Sequence, residues 1–257
     1  MKTSAIHGYP ENYELFNLTE FDNWAGKGVL TAEEDYLFGK FIYALDKNAS
    51  ILDLGTGSGR FLLELAKRDF TRLHGIDLAE RLLLAARRRT EPFPFIKFYR
   101  MSAAELKFDS GTFDAVLGLQ QVISFIEDDR DRAAAFHECS RVLKPHGLFA
   151  GSFLMYGGRW INPAVSLLTY PAKLCNKKIR NRLSYQYLPW LKLGGKTNWS
   201  FAGRRQPYLY WFRRAEVRSV LEEAGIDIIE MKTVKNIAGS RNLLASAGML
   251  YVAGRKK

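Results

Sequence analysis

Two carboxylates and three glycines stand at spacings that suit the binding of a ribose and an amino group. Asp53 lies inside Ile51-Leu-Asp-Leu-Gly-Thr-Gly-Ser-Gly-Arg60, two residues ahead of Gly55, with Gly57 and Gly59 following. Apolar residues lead into the glycines, and Phe61, Leu62, Leu65 and Ala66 recur at helical spacing behind them. The reading is a strand, a tight turn and a helix start. Glycines in such a turn let a ligand approach the backbone, because no Cβ intervenes and positive φ is tolerated. Asp77 ends a second apolar run, Leu73 to Ile76. In a parallel sheet its carboxylate falls beside the first turn, where it can take both hydroxyls of a ribose.

The glycine spacing narrows the ligand. A dinucleotide site uses G-x-G-x-x-G to seat a pyrophosphate on a helix N-terminus. Here the pattern is G-x-G-x-G, and the acid at Asp53 suits a cationic amino group better than a phosphate. The expected ligand is an adenosine with an amino-acid tail and no phosphates, which describes S-adenosylmethionine.

These residues need a sheet to hold them. The periodicity predicts strands at about 50–54, 72–77, 96–99, 113–119, 148–155, 227–234 and 248–253. Helices are predicted at 58–68, 79–89, 129–143 and 214–225, the last stopped by Gly225. Pro145-His-Gly reads as a turn. Two earlier helical patterns, Phe16 to Trp24 and Ala32 to Leu45, precede the sheet. Such alternation implies an α/β, doubly wound sheet. Leu119 and Gln120 then fall at the C-terminal end of the fourth strand, where open α/β sheets bind ligands, and Gln120 is the candidate polar contact for the amino-acid tail. Arg81, Arg87, Arg88 and Arg89 are expected to form a solvated face.

The chain resembles the class I S-adenosylmethionine-dependent methyltransferases, in the broad group of the ubiquinone/menaquinone-type C-methyltransferases. Ile51 to Gly59 is similar to the first motif, and Asp77-Leu78 to the ribose acid and the residue that packs on adenine. Residues 101–116 and Arg141 to Phe149 are similar to later segments of the family. The resemblance implies a Rossmann-like, seven-stranded, mostly parallel sheet with the last strand antiparallel at the edge. It implies one methyltransferase domain over 1–257, lid helices within 1–47, and S-adenosylhomocysteine as product. It places Asp53, Gly55, Thr56, Gly57, Gly59, Asp77, Leu78, Ser102, Ala103, Leu119 and Gln120 around the cofactor. Ser102 stands where the family often has an adenine-binding Asp. A hydroxyl accepts the same hydrogen bond without charge. Tyr9 and Tyr13 are offered near the methyl, although as aromatics of an N-terminal helix they read equally as packing residues.

Composition adds a charge asymmetry. The net charge is +11, yet residues 157–214 hold twelve Lys or Arg and no Asp or Glu, leaving 26 bases against 27 acids elsewhere. The same segment holds Trp160, Trp190, Trp199 and Trp211, four of the five tryptophans. Within it, 164–183 can form a basic amphipathic helix suited to an anionic membrane. The segment lies where the family elaborates its acceptor site. The acceptor is therefore expected to be a small aromatic, isoprenoid or lipid-like molecule. RNA or a peptide or carrier-bound substrate is the alternative, but Leu119-Gln-Gln-Val-Ile123 lacks an Asn-Pro-Pro-Tyr-like motif. A catalytically inactive, cofactor-binding partner subunit is a third reading, which a turnover assay separates. The two cysteines form no disulfide framework, and His7, His74, His137 and His146 lack metal-ligand spacing. No metal is expected. Met1 to Asn17 has no signal pattern, so a cytoplasmic setting is expected, with peripheral membrane contact through 164–183.

Overall fold

The structure is a computed structural model that describes Phe16, Gly28 and residues 30–155, 210–238 and 249–257. Tyr9, Tyr13, the 164–183 helix and most of the 1–47 and 157–214 segments lie outside the described residues.

A short helix α1 (Ala32–Leu37) opens the described chain and widens into a π-type turn over Phe38–Ile42. Thr31 and Glu34 cap α1 reciprocally, which satisfies two of its otherwise unpaired amides. Next come β1 (Ser50–Leu54), α2 (Arg60–Ala66), β2 (Arg72–Asp77), α3 (Glu80–Arg89), β3 (Lys97–Arg100) and β4 (Phe113–Gly118). A 3-10 turn (Val122–Phe125) and α4 (Asp129–Val142) lead to β5 (Leu143–Leu154). The described chain resumes before α5 (Arg214–Glu223), then β6 (Ile226–Thr233), α6 (Val234–Ala238) and β7 (Met249–Lys256).

The strands form one seven-stranded sheet in the order β3-β2-β1-β4-β5-β7-β6. All pairs are parallel except those of β7, which is antiparallel to both β5 and β6. The antiparallel strand is thus one place in from the edge, and β6 forms the edge instead. Strand β7 bonds along seven positions of β5 and covers that strand's otherwise open side. The expected Pro145-His-Gly turn is absorbed into β5. Phe113 faces Leu143 and Ala115 faces Leu148, so Lys144–Gly147 bulge out of register, with His146 at φ 62°.

Both faces of the sheet are covered, so central strands are apolar on both sides. Alternation sorts their side chains. Leu52, Val116, Phe149 and Val252 pack with α4 and α5 through Phe136, Val217 and Leu221. Ile51, Ala115, Leu117 and Ala150 pack with α1, α2 and α3 through Leu37, Leu62, Leu65 and Leu83. Asp53 follows Ile51 at the two-residue period of a strand, so it points to the α1–α2 face.

The return from the basic segment is fixed on the sheet. Tyr210 and Phe212 donate their amides to the carbonyls of Ser124 and Leu154, both at 2.8 Å. Phe212 forms a parallel bridge with Met155, so both described flanks of the segment meet at the C-terminal end of β5.

Candidate functional site

The site is built on the turn after β1. Gly55, Gly57 and Gly59 all have positive φ, at 58°, 54° and 75°. The turn is tied to β2 by the Thr56 amide, which donates to the Ile76 carbonyl at 2.8 Å. The three glycines have different neighbours. A Cβ on Gly55 would stand 2.3 Å from Cγ2 of Val122, because the segment after β4 folds over it. A Cβ on Gly57 would meet nothing closer than 4.0 Å, since that position faces open space. A Cβ on Gly59 would press on Ala86 and Phe98 at 3.2 Å, so this glycine lets α2 pack against α3 and β3.

Beside the turn is a cavity of about 130 Å³. It lies at the C-terminal ends of β1 and β4, where the strand order reverses and open α/β sheets bind ligands. Of the residues expected from sequence, Gly55, Gly57, Asp77, Leu78, Ser102, Ala103, Leu119 and Gln120 line it. Leu82, Met101, Ile126 and Phe125 supply further apolar wall. Asp77 reaches across to the turn: its Oδ2 accepts from the Gly57 amide at 2.9 Å and its Oδ1 from the Ala79 amide at 2.8 Å. Each oxygen keeps a lone pair for a further donor. Burial raises the Asp77 pKa, and those amides oppose the rise. Ser102 Oγ accepts from the Ala104 amide at 3.1 Å and shapes the loop after β3.

Asp53 and Thr56 lie below the turn and do not line the cavity. Asp53 is 1 % exposed. Its Oδ2 and the Thr56 Oγ1 find no hydrogen-bond partner among the described residues. Burial first of all pushes the Asp53 carboxyl up to about 7, with Asp77 and Glu34 acting the same way. The Thr56 hydroxyl and Arg60 favour the anion, although the hydroxyl's geometry falls short of a hydrogen bond. Unsatisfied buried polar groups cost roughly 1–3 kcal/mol each. Their presence beneath the Gly55–Gly57 turn that lines the cavity is an observation that a ligand donor would explain. A primary ammonium donates three hydrogen bonds and accepts none, and so suits this pair.

A buried ion pair adjoins Asp53. Arg60, the first residue of α2, donates Nη1 and Nη2 to Glu34 of α1 at 2.7 and 2.9 Å. Gln120 Nε2 also donates to Glu34 Oε1. Gln120 and Gln121 both occupy the left-handed region, at φ 53° and 60°, and the Gln121 amide donates to Ser152 Oγ at 3.2 Å. Two successive non-glycine residues there are uncommon, and such conformations gather at ligand sites. Sequence reading missed Glu34 and Arg60. The available signal was the Thr31-x-x-Glu34 capping box before an apolar run, which marks a helix start and not a site.

Other residues have structural settings. Cys139 is buried in the core, and burial pushes its thiol up to about 12. His137 is exposed on α4. Arg89 is not simply solvated, since its Nη1 donates to Ser58 Oγ at 2.8 Å. Among the described residues no helix is long and apolar enough to cross a membrane.

Known proteins resemble this chain in sequence and in fold. Residues 51–147 match the family model for a methyltransferase domain. The chain is 35% identical over 119 residues to EEF1A lysine methyltransferase 2 of Danio rerio, covering 41% of this chain and 48% of that one. It is 36% identical over 111 residues to the ubiquinone/menaquinone biosynthesis C-methyltransferase UbiE of Rickettsia massiliae, covering 40% and 43%. The alignments thus span less than half the length of these relatives. The fold is similar to that of a SAM-dependent methyltransferase from Methanosarcina mazei, with a TM-score of 0.61 at 19% identity over 90% of this chain and 99% of that one.

Proposed function

We propose, from the premise that residues 51–147 match a methyltransferase domain, that this protein is a class I S-adenosylmethionine-dependent methyltransferase that transfers a methyl group to a small aromatic, isoprenoid or lipid-like acceptor. The observation that carries the cofactor assignment is the unpartnered pair Asp53 Oδ2 and Thr56 Oγ1 beneath the Gly55–Gly57 turn. Together with Asp77, these residues offer acceptors for an ammonium and a ribose and present no cation to a phosphate. When bound, the cofactor supplies an electrophilic methyl on a sulfonium that already carries its leaving group.

The chain's own residues would then bind and orient. Asp53 and Thr56 would hold the amino group, and Asp77 the ribose. Leu78, Leu82 and Met101 would sandwich the adenine, with Ser102 and Ala103 at its edge. Gln120 would close the amino-acid end. Positioning of this kind can supply roughly 7–11 kcal/mol of a barrier, while a general base adds about 10²–10⁴-fold. An acceptor without a dedicated base is therefore compatible with the reaction. The apolar wall formed by Val122, Phe125 and Ile126 supports an apolar acceptor. Tyr9 and Tyr13 remain candidates for the methyl end on the family resemblance.

Calorimetry tests the cofactor assignment. S-adenosylmethionine and S-adenosylhomocysteine should bind and NAD should not. Asp77→Ala removes the ribose contacts, and Gly57→Val places its side chain in the space the ligand occupies. Unchanged affinity in both variants would overturn the assignment. Mass spectrometry of cell extracts with and without the gene, for small molecules differing by one methyl, identifies the acceptor.

A further inference from the structure

Asp53 and Arg60 are both buried, at 1 % and 7 % exposed, and Arg60 is near enough to favour the Asp53 anion. Elementary electrostatics would pair them. Yet Asp53 Oδ2 has no partner among the described residues, and Arg60 turns both Nη groups to Glu34 in a bidentate bridge. Glu34 is itself 0 % exposed. It is fixed from two more sides, because its Oε2 accepts from the Thr31 amide at 2.8 Å and its Oε1 from Gln120.

We infer that Glu34 is a positioning residue that holds Arg60 off Asp53, so that the carboxylate beneath the turn stays unbridged and can take the ammonium of an amino-acid ligand. The inference rests on the function proposed above and adds a residue to it.

Glu34 and Asp53 compete for one guanidinium. A guanidinium is always charged and forms its strongest bridges with carboxylates in fork geometry. Buried, it must have a counter-ion. With Glu34 present, that demand is met in α1. Without it, Asp53 is the other carboxylate among the described residues on which Arg60 bears, and an Arg60–Asp53 bridge would occupy the oxygen that the ligand's ammonium needs. The charged groups that bear on Asp53 are Glu34 from α1, Arg60 from α2 and Asp77 from β2. Two of these three groups are carboxylates, so the charge acting on Asp53 is negative on balance and suits a cationic ligand. Gln120 both lines the cavity and bonds to Glu34, so the same residue links the α1 anchor to the pocket wall.

The competing account is that Glu34 merely anchors α1. Glu34→Gln separates the two, because glutamine also serves at the third position of a capping box, and Gln120 can turn its amide to accept from the new Nε2. Calorimetry with S-adenosylmethionine is run on wild type, Glu34→Gln, Arg60→Met and the double variant, with thermal melts to confirm folding. The expected result at about pH 8, where the pull of Arg60 on the Asp53 anion matters least, is a loss of about tenfold or more in Glu34→Gln, and affinity within about threefold of wild type in Arg60→Met and in the double variant. In addition, the pH dependence of affinity between about 5.5 and 7 should vanish in Glu34→Gln, since Arg60 then keeps Asp53 ionised. A simple anchor predicts a double variant no better than Glu34→Gln and an unchanged pH dependence. Either result, or wild-type affinity in Glu34→Gln, overturns the inference. Should Glu34→Gln fail to fold, the double variant decides alone, and a tenfold loss there overturns it. Wild type that binds no S-adenosylmethionine overturns the proposed function, and this inference with it.

Discussion

Asp53 makes cofactor affinity depend on pH in a range where most carboxylates do not titrate. Its carboxyl, pushed up to about 7 by burial, is protonated in much of the unliganded protein near neutrality. An ammonium ligand needs the anion. Binding competence therefore tracks the ionised fraction, and the apparent Kd is the intrinsic one divided by that fraction. At pH 6 about one-tenth of Asp53 is ionised, so affinity should be about tenfold weaker than well above pH 7, and at pH 5.5 about thirtyfold weaker. The same shift bears on stability, with a definite sign. The folded pKa lies above the unfolded value of about 3.9. The group therefore favours the folded state fully below that value, and this contribution is lost as pH rises through about 7. Unliganded protein pays on the order of 4 kcal/mol for the anion above pH 7, and the ligand ammonium relieves that cost. The thermal shift produced by S-adenosylhomocysteine should thus be larger at pH 7.5 than at pH 6 by this argument. Calorimetry from about pH 5.5 to 7.5, in two buffers of different ionisation enthalpy, measures the affinity and the protons released. Release should approach one proton at pH 6 and fall towards zero above 7. Asp53→Asn should bind weakly and without pH dependence. A flat wild-type profile, or an identical slope in Asp53→Asn, would refute the reasoning.

Ser102→Asp should keep or improve cofactor affinity if Ser102 replaces an adenine-binding acid, and a loss of about tenfold, or 1.4 kcal/mol, in a folded protein would show that the segment is misaligned. Gly55→Ala should weaken cofactor binding and lower the melting temperature, because its Cβ would meet Val122 Cγ2 at 2.3 Å and must displace the turn after β4; full retention of both would show that the turn moves freely. Substituting Lys173, Lys177, Lys178, Arg180 and Arg182 by Gln should abolish low-salt co-sedimentation with anionic liposomes, and wild type that ignores such liposomes would leave a soluble anionic acceptor as the better account of the +11 charge.

The strand–turn–helix around Asp53 was legible in the sequence because its determinants are local. Positive φ at Gly55, Gly57 and Gly59 and a strand period ahead of them suffice, and a second period places Asp77 alongside once the strands are parallel. Strands β1 to β4 were readable for the same reason, as apolar runs bounded by turn residues. Other features depend on which elements meet. Whether the last strand lies at the edge or beside β5 is a choice between two pairings with the same hydrophobic pattern, and the structure pairs β7 with β5 along seven residues. The Pro145 turn became a bulge because hydrogen bonding to β4 resumes on both sides of it. Phe125 and Ile126 joined the cavity wall only because the chain after β4 turns back over Gly55. Glu34 and Arg60 are 26 residues apart, and each alone reads as a surface charge. Docking α1 against α2 excludes water from both, and exclusion of water is what converts an ordinary charge into one that must find a partner. The sequence by itself determined which residues could meet a ribose and an amino group; tertiary packing decided which carboxylate takes the guanidinium and which is left unbridged.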